Sequence, residues 1–209
     1  MNIFSRGIKK LSPLDGYNKW AITYHTEDNP IKNLSDEFIK KELPGLNGKT
    51  VLDAGCGTGK LCLLAVAQGA TRVKGIDLSP KMIEEAKKNC PQAEFERGDL
   101  SNIELQKFDV VICGLVLGHI DILEPVLSKL VKSLNPDGHI ILTDFHPYQT
   151  EMKAKRTFKH DGKTFEVSHS LHTLDEYFSI LKNKVSITKF TEPLFREKPV
   201  IFGIHGVAS

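Results

Sequence analysis

The chain predicts an α/β fold, a mostly parallel sheet with helices on both faces. Three observations carry this: apolar strand-like runs alternate with helical runs across residues 50–144, a glycine-rich turn joins the first such pair, and the last two strand candidates have no helix between them. Strands separated by helices run parallel with right-handed crossovers, which covers the sheet on both sides. Strands joined directly pair antiparallel, so the run 200–207 is expected to insert in the sheet against its neighbour 185–190.

An N-terminal arm, residues 1–33, carries Trp20 and Tyr24. A helix is expected to begin near Ser35, with Leu34 and Ile39 as a hydrophobic staple around a serine cap, and to stop before Pro44. Residues 50–54 read as a buried strand and 60–67 as the helix after the glycine turn. Strand 73–77 and helix 80–89 follow, with Ser79 as cap and Pro80 at the first helical position. Further strands are expected at 93–97 and 109–113. Leu123, Val126, Leu127, Leu130, Val131 and Leu134 form one apolar stripe at helical period; Gly138 breaks it, and 140–144 makes a fifth strand. Within 147–172, Asp161-Gly162 between Phe158 and Phe165 signals a hairpin, a two-stranded flap that leaves the carboxyl end of the fifth strand. Thr173-Leu174-Asp175-Glu176 has the form of a capping box, which places His172 just outside a helix and near Tyr177.

With 209 residues the chain suits a single domain, 1–209, in which the arm and the flap cap a substrate pocket. A net charge of +2 and the lack of a basic stripe argue against nucleic acid as a partner. Cys56, Cys62, Cys90 and Cys113 show no C-x-x-C spacing and read as reduced core thiols, so the cytoplasm is the expected setting. No apolar run approaches the roughly 20 residues of a membrane span. The first fourteen residues hold Arg6, Lys9 and Lys10 without an acid, yet the stretch is short and poor in serine for a targeting peptide.

The turn Asp53-Ala54-Gly55-Cys56-Gly57-Thr58-Gly59 lets backbone approach a ligand closely. A dinucleotide site would need glycine where Lys60 stands, and a P-loop would need glycine at Ala54 and a hydroxyl residue at Leu61. Asp53 would also repel a pyrophosphate. The same carboxylate attracts a cationic nucleoside. Asp77, at the tip of the next strand, is placed to accept hydrogen bonds from two ribose hydroxyls.

Four motifs stand in order: V-L-D-A-G-C-G-T-G at 51–59, G-I-D-L-S-P at 75–80, Gly98-Asp99-Leu100, and L-N-P-D-G-H-I-I-L at 134–142. With them, from about Tyr17 to its end, the chain resembles the class I S-adenosylmethionine-dependent methyltransferases of the small-molecule, quinone-biosynthesis-like (type 11) group. The resemblance implies a Rossmann-like sheet of seven strands with the last reversed, and S-adenosyl-L-methionine as cofactor. It implies that Asp99 recognises the adenine amino group. It further implies a cofactor-binding set of Asp53, Gly55, Cys56, Gly57, Gly59, Asp77, Leu78, Met82, Asp99, Leu100 and Gly114. The function implied is methyl transfer to a small-molecule acceptor. Two alternatives are a non-catalytic partner subunit that binds the cofactor and a transferase that uses a modified S-adenosylmethionine.

Methyl transfer needs alignment and exclusion of water, and only sometimes a base. Candidates at strand carboxyl ends are His119, Asp144 and His146, and Tyr24 joins them because relatives place a tyrosine of a Y-D motif near the methyl group. Here His25 follows Tyr24 instead of aspartate. Each histidine also has a plainer reading: His119 as the organiser of a helix start, His146 as a shaper of the chain's exit before Pro147. No metal is expected, since Phe145 follows Asp144 where metal-using relatives carry asparagine. Lys153, Lys155, Arg156, Lys159 and Lys163 outnumber Glu151, Asp161 and Glu166 around the flap. They read either as solvated surface charge or as a sign of an anionic acceptor, with Arg156 the residue to test. The fourth strand ends in Cys113-Gly114-Leu115-Val116, which lacks the N-P-P-Y pattern of amide- and adenine-nitrogen methylation. The glutamate pair of arginine methylation and the Pro-Cys nucleophile of cytosine chemistry are missing too.

Overall fold

Residues 8–208 are described by the computed structural model; Arg6 of the basic N-terminal stretch lies outside them. The chain begins with β1 (Lys9–Leu11) and α1 (Pro13–Tyr24), then α2 (Pro30–Glu42). The arm is therefore largely structured, and the two helices start by the same chemistry. Ser12 and Asn29 accept backbone N–H groups with their side chains, and Pro13 and Pro30 follow at the first turn, where a missing N–H costs nothing. The expected start at Ser35 is corrected: Ser35 lies inside α2, where its buried hydroxyl bonds Thr143 Oγ1 at 2.6 Å.

Next come β2 (Thr50–Ala54), α3 (Lys60–Ala67), β3 (Arg72–Asp77), α4 (Pro80–Asn89), β4 (Glu94–Arg97) and β5 (Phe108–Gly114). A 3-10 turn, Leu117–His119, precedes α5 (Leu123–Lys132), and β6 runs Leu134–Phe145. Leu134 thus opens a strand instead of closing the helix stripe. The chain then forms α6 (Pro147–Glu151), β7 (Thr157–His160), β8 (Lys163–Val167), α7 (Leu174–Leu181), β9 (Val185–Thr191), the two short strands β10 (Leu194–Phe195) and β11 (Lys198–Pro199), and β12 (Ile201–Ala208). The Thr173 capping box that starts α7 is present with both of its bonds.

The main sheet has the order β4-β3-β2-β5-β6-β12-β9, with β12 antiparallel to both β6 and β9. This is the mostly parallel seven-stranded sheet with a reversed last strand. Leu52, Val111, Leu127, Leu130, Ile140 and Phe202 sit in one apolar layer, and Ile39, Val51, Ile112 and Ile141 in the other. Burying such side chains contributes about 1.5–3 kcal/mol each.

A second, three-stranded sheet of order β1-β8-β7 lies over the carboxyl-end loops. The Asp161-Gly162 hairpin is as expected, with both residues at positive φ, but β1 adds a third strand by pairing in parallel with β8. Arm and flap are one cap. It has its own small core of Leu11, Trp20, Phe158, Phe165 and Val167, with Trp20 stacked on Phe158 at 4.8 Å between centroids. Gly16 lets α1 approach β8, since a Cβ there would come within 2.8 Å of Val167.

Because this small core joins the cap, Phe158→Ala is expected to weaken the cap by about 3 kcal/mol while leaving the main sheet folded. Hydrogen exchange should show faster exchange in β1, β7 and β8 and unchanged protection in β2, β5 and β6.

Candidate active site

The site grows from the turn after β2. Gly55 and Cys56 donate their N–H groups to the carbonyl of Ile76, at 2.7 and 3.0 Å, which draws the turn against the tip of β3. Gly55 has φ +83, and a Cβ there would sit 2.1 Å from Val116 Cγ2, so no other residue fits. Asp77 then closes the arrangement. Its Oδ2 accepts the N–H of Gly57 at 2.9 Å, and its Oδ1 accepts the N–H of Ser79 at 2.8 Å. A carboxylate has about four lone-pair positions, so two are used by the backbone and two are left for the hydroxyls of a ribose.

Asp77 lines an open cleft of about 690 Å³ together with Gly55, Gly57, Leu78, Asp99, Leu100 and Gly114. A second cleft of about 550 Å³ holds Asp53, Cys56, Asp36, Lys60 and His25. A third, of about 600 Å³, lies under the cap and is lined by Tyr17, Trp20, Tyr24, Phe145, Lys32, Lys155 and Arg156. Tyr24 and Leu115 border all three. Leu115 has φ +59, a conformation that costs a bulky residue about 1–3 kcal/mol and that collects at functional sites.

Of the expected cofactor-binding residues, Asp53, Gly55, Cys56, Gly57, Asp77, Leu78, Asp99, Leu100 and Gly114 border the first two clefts. Gly59 and Met82 do not. Gly59 caps α3 at φ +79 and lets it pack closely on Ala86 and Phe95, and Met82 is buried at 1% exposure beneath α4. Burial raises Asp53 to about 7 and also raises Asp77 above the ordinary carboxylate value, despite the two backbone donors that oppose it. Two carboxylates whose charge is disfavoured by burial, Asp53 the more deeply buried, suit a ligand carrying positive charge.

His119 ends the 3-10 turn after β5 and borders the first cleft. Its Nδ1 lies 2.8 Å from the carbonyl of Ser168 and must donate there, so Nε2 accepts the hydroxyl proton of Tyr17, also at 2.8 Å. Burial, aided by the Arg156 charge, lowers His119 to about 3. Burial raises Tyr17 and Tyr24 above the ordinary phenol range. The ring and both hydroxyls are therefore neutral at physiological pH.

His146 is not brought to the clefts. Its Nδ1 accepts the N–H of Tyr148 at the start of α6, and its Nε2 donates to Glu192 at 2.7 Å. Asp144 is buried, accepting from Gly118 N, Tyr177 Oη and Phe145 N. Two residues escaped the sequence reading. Tyr17 escaped because α1 was not foreseen, although Tyr17, Trp20 and Tyr24 stand at i, i+3 and i+7, the spacing of one helical face. His25 ties the end of α1 to the glycine turn through Thr58 at 3.2 Å.

The sheet order and the carboxylate-lined cleft at the glycine turn define a class I S-adenosylmethionine-dependent methyltransferase. The residues fit that cofactor on the structure's own terms: backbone that only glycine tolerates at the turn, and free lone pairs on Asp77. Residues 46–189 match the methyltransferase domain family, and the chain belongs to that family. An uncharacterized protein of Haemophilus influenzae is 31% identical over 178 residues, which cover 78% of this chain and 69% of that protein. The ribosomal protein L11 methyltransferase of Thermosipho africanus is 40% identical over 129 residues, 59% of this chain but 47% of its own length. A candidate S-adenosylmethionine dependent methyltransferase from Listeria monocytogenes superposes with a TM-score of 0.72 at 27% identity, covering 85% of this chain and 99% of that one.

Asp77→Ala is expected to lower affinity for S-adenosylhomocysteine at least a hundredfold in calorimetry. It should also cost roughly 2 kcal/mol of stability, because two backbone donors lose their acceptor. Asp53 makes the free protein's stability pH-dependent: its share is full below the unfolded carboxylate value near 3.9 and is lost as pH rises through about 7. A cationic ligand favours the ionised form. At pH 6, binding of S-adenosylmethionine should therefore release up to about one proton, measured by calorimetry in buffers of different ionisation enthalpy, and Asp53→Asn should abolish that release.

Proposed function

We propose that the chain methylates a small, anionic molecule held beneath the cap. The observation that carries this reading is the third cleft: it meets the cofactor clefts at Tyr24 and Leu115, and the cap sheet and α1 roof it over. A cleft of about 600 Å³ beneath the cap is of the size that takes a metabolite. Among its cations the buried Arg156 favours a negatively charged acceptor.

When bound, S-adenosylmethionine supplies a methyl group made electrophilic by the sulfonium. The chain's own contribution is placement. Asp77 and Asp99 would hold the ribose and adenine, and Asp53 the cationic end of the amino-acid portion. Tyr24 and Leu115, at the meeting of the clefts, set the acceptor's approach and keep water out. Tyr17 is pinned by His119, whose tautomer is fixed by Ser168, so the hydroxyl is held at one orientation, toward a ring that borders the first cleft. His119 is a positioning residue in this reading. Burial and the Arg156 charge lower it to about 3, which makes it a poor base near neutrality.

The four cysteines are free and buried, which supports the cytoplasmic setting. Among the described residues no helix is long and apolar enough to cross a membrane.

The kinship with ribosomal protein L11 methyltransferases supplies the competing acceptor, a protein. Incubating the chain with methyl-labelled S-adenosylmethionine, a cell extract and purified ribosomal protein L11 separates the two. Label is expected in the small-molecule fraction; label confined to L11 or other protein would overturn the proposal.

A further inference from the structure

Arg156 carries a buried guanidinium whose hydrogen-bonding capacity is not met by its neighbours among the described residues. The residue enters β7 from the turn after α6, and its side chain is only 9% exposed. The guanidinium lies over the ring of Phe145, 3.7 Å from the centroid, and Asp144 Oδ1 is 3.9 Å from Nη2, too far for a hydrogen bond. That carboxylate is already engaged by Gly118, Tyr177 and Phe145. Arg156 Nη1 is buried without any partner among the described residues. A desolvated guanidinium with an idle donor is unfavourable, and its planar fork matches the two oxygens of a carboxylate.

The other cations of this cleft are spent. Lys32 lies over the Tyr24 ring at 3.8 Å and donates to the Tyr24 carbonyl, and Lys155 pairs with Glu166 at 3.4 Å. The remaining walls include Tyr17, Trp20, Tyr24 and Phe145, which have faces taken by one another, by Phe158, by Lys32 and by Arg156 and still present aromatic surface to the cleft for a ring. Asp144 already sets one negative charge beside the guanidinium, so a monoanion is better matched than a dianion.

We propose that the methyl acceptor is an aromatic carboxylate, its carboxylate received by Arg156 and its ring by the aromatic walls of the covered cleft. This rests on the small-molecule reading above and names the class of molecule. Arg156 is then the residue that sets specificity, where a strut joining cap to sheet would serve with any acceptor.

The test titrates benzoate, cinnamate and 4-hydroxybenzoate, each beside its carboxamide, into the full chain saturated with S-adenosylhomocysteine. At least one carboxylate is expected to bind tenfold or more tightly than its amide. Arg156→Gln should bring acid and amide within about twofold of each other while S-adenosylhomocysteine affinity stays within about threefold, and Arg156→Lys should recover part of the preference. If Arg156→Gln does not fold, the wild-type comparison and Arg156→Lys decide: a preference that Lys only partly keeps supports the proposal. Equal binding of acid and amide, no binding of any of the three acids, or a preference that survives Arg156→Gln or is unchanged in Arg156→Lys overturns it. A wild-type chain that fails to bind S-adenosylhomocysteine overturns the cofactor reading beneath it, so the two failures are told apart in one series of titrations.

Discussion

The carboxylate of Asp77 is the constraint around which the site is arranged. It joins the tip of β3 to the turn that follows β2 through Gly57, and to the start of α4 through Ser79. Ser79 in turn caps α4 and gives its hydroxyl proton to Asn18 of α1, so the cap helix is registered against the same point. One half-buried carboxyl group thus fixes a loop, a helix start and a lid, and still presents free lone pairs to the cleft. The unfavourable burial of that charge is offset by donors that the turn has no other way to satisfy.

The carboxylates Asp53, Asp77 and Asp99 line the nucleoside side together with Lys32 and Lys60, whereas Lys155 and Arg156 border only the third of the three clefts, with Tyr24 and Leu115 at the junction. On the proposed reading S-adenosylmethionine gives up its sulfonium charge as the methyl group moves, while the acceptor's carboxylate stays paired with Arg156.

The sheet was readable because each of its elements is specified locally. The apolar run of β2, the Ser79-Pro80 start of α4 and the reversed final strand all follow from patterns a few residues long. The nucleoside clefts were readable for the same reason, since they are built from the strand tips themselves. The cap was not. Helix α1 carries Gly16 in its first turns, which lowers its helical signal and is explained only by the distant Val167, although Ser12-Pro13 and Asp15 form a legible start. Asn29-Pro30 was a legible helix start that the staple around Ser35 obscured. His146 shows a further limit: position at a strand end does not say which way a ring is used, and here α6 takes it as a cap. The burial of Arg156 depends on how the cap closes over Phe145, so no local pattern distinguished it from the lysines around it.

The parallel pairing of β1 with β8 links Lys9 to Phe165 across most of the chain. Such a contact has a high loop-closure cost and forms late, after the intervening strands have condensed. The nucleoside grooves, made from β2, β3 and β5, involve far shorter separations along the chain. During biosynthesis the N-terminal strand emerges early yet waits for its mate, so these grooves are assembled while the roof is still open.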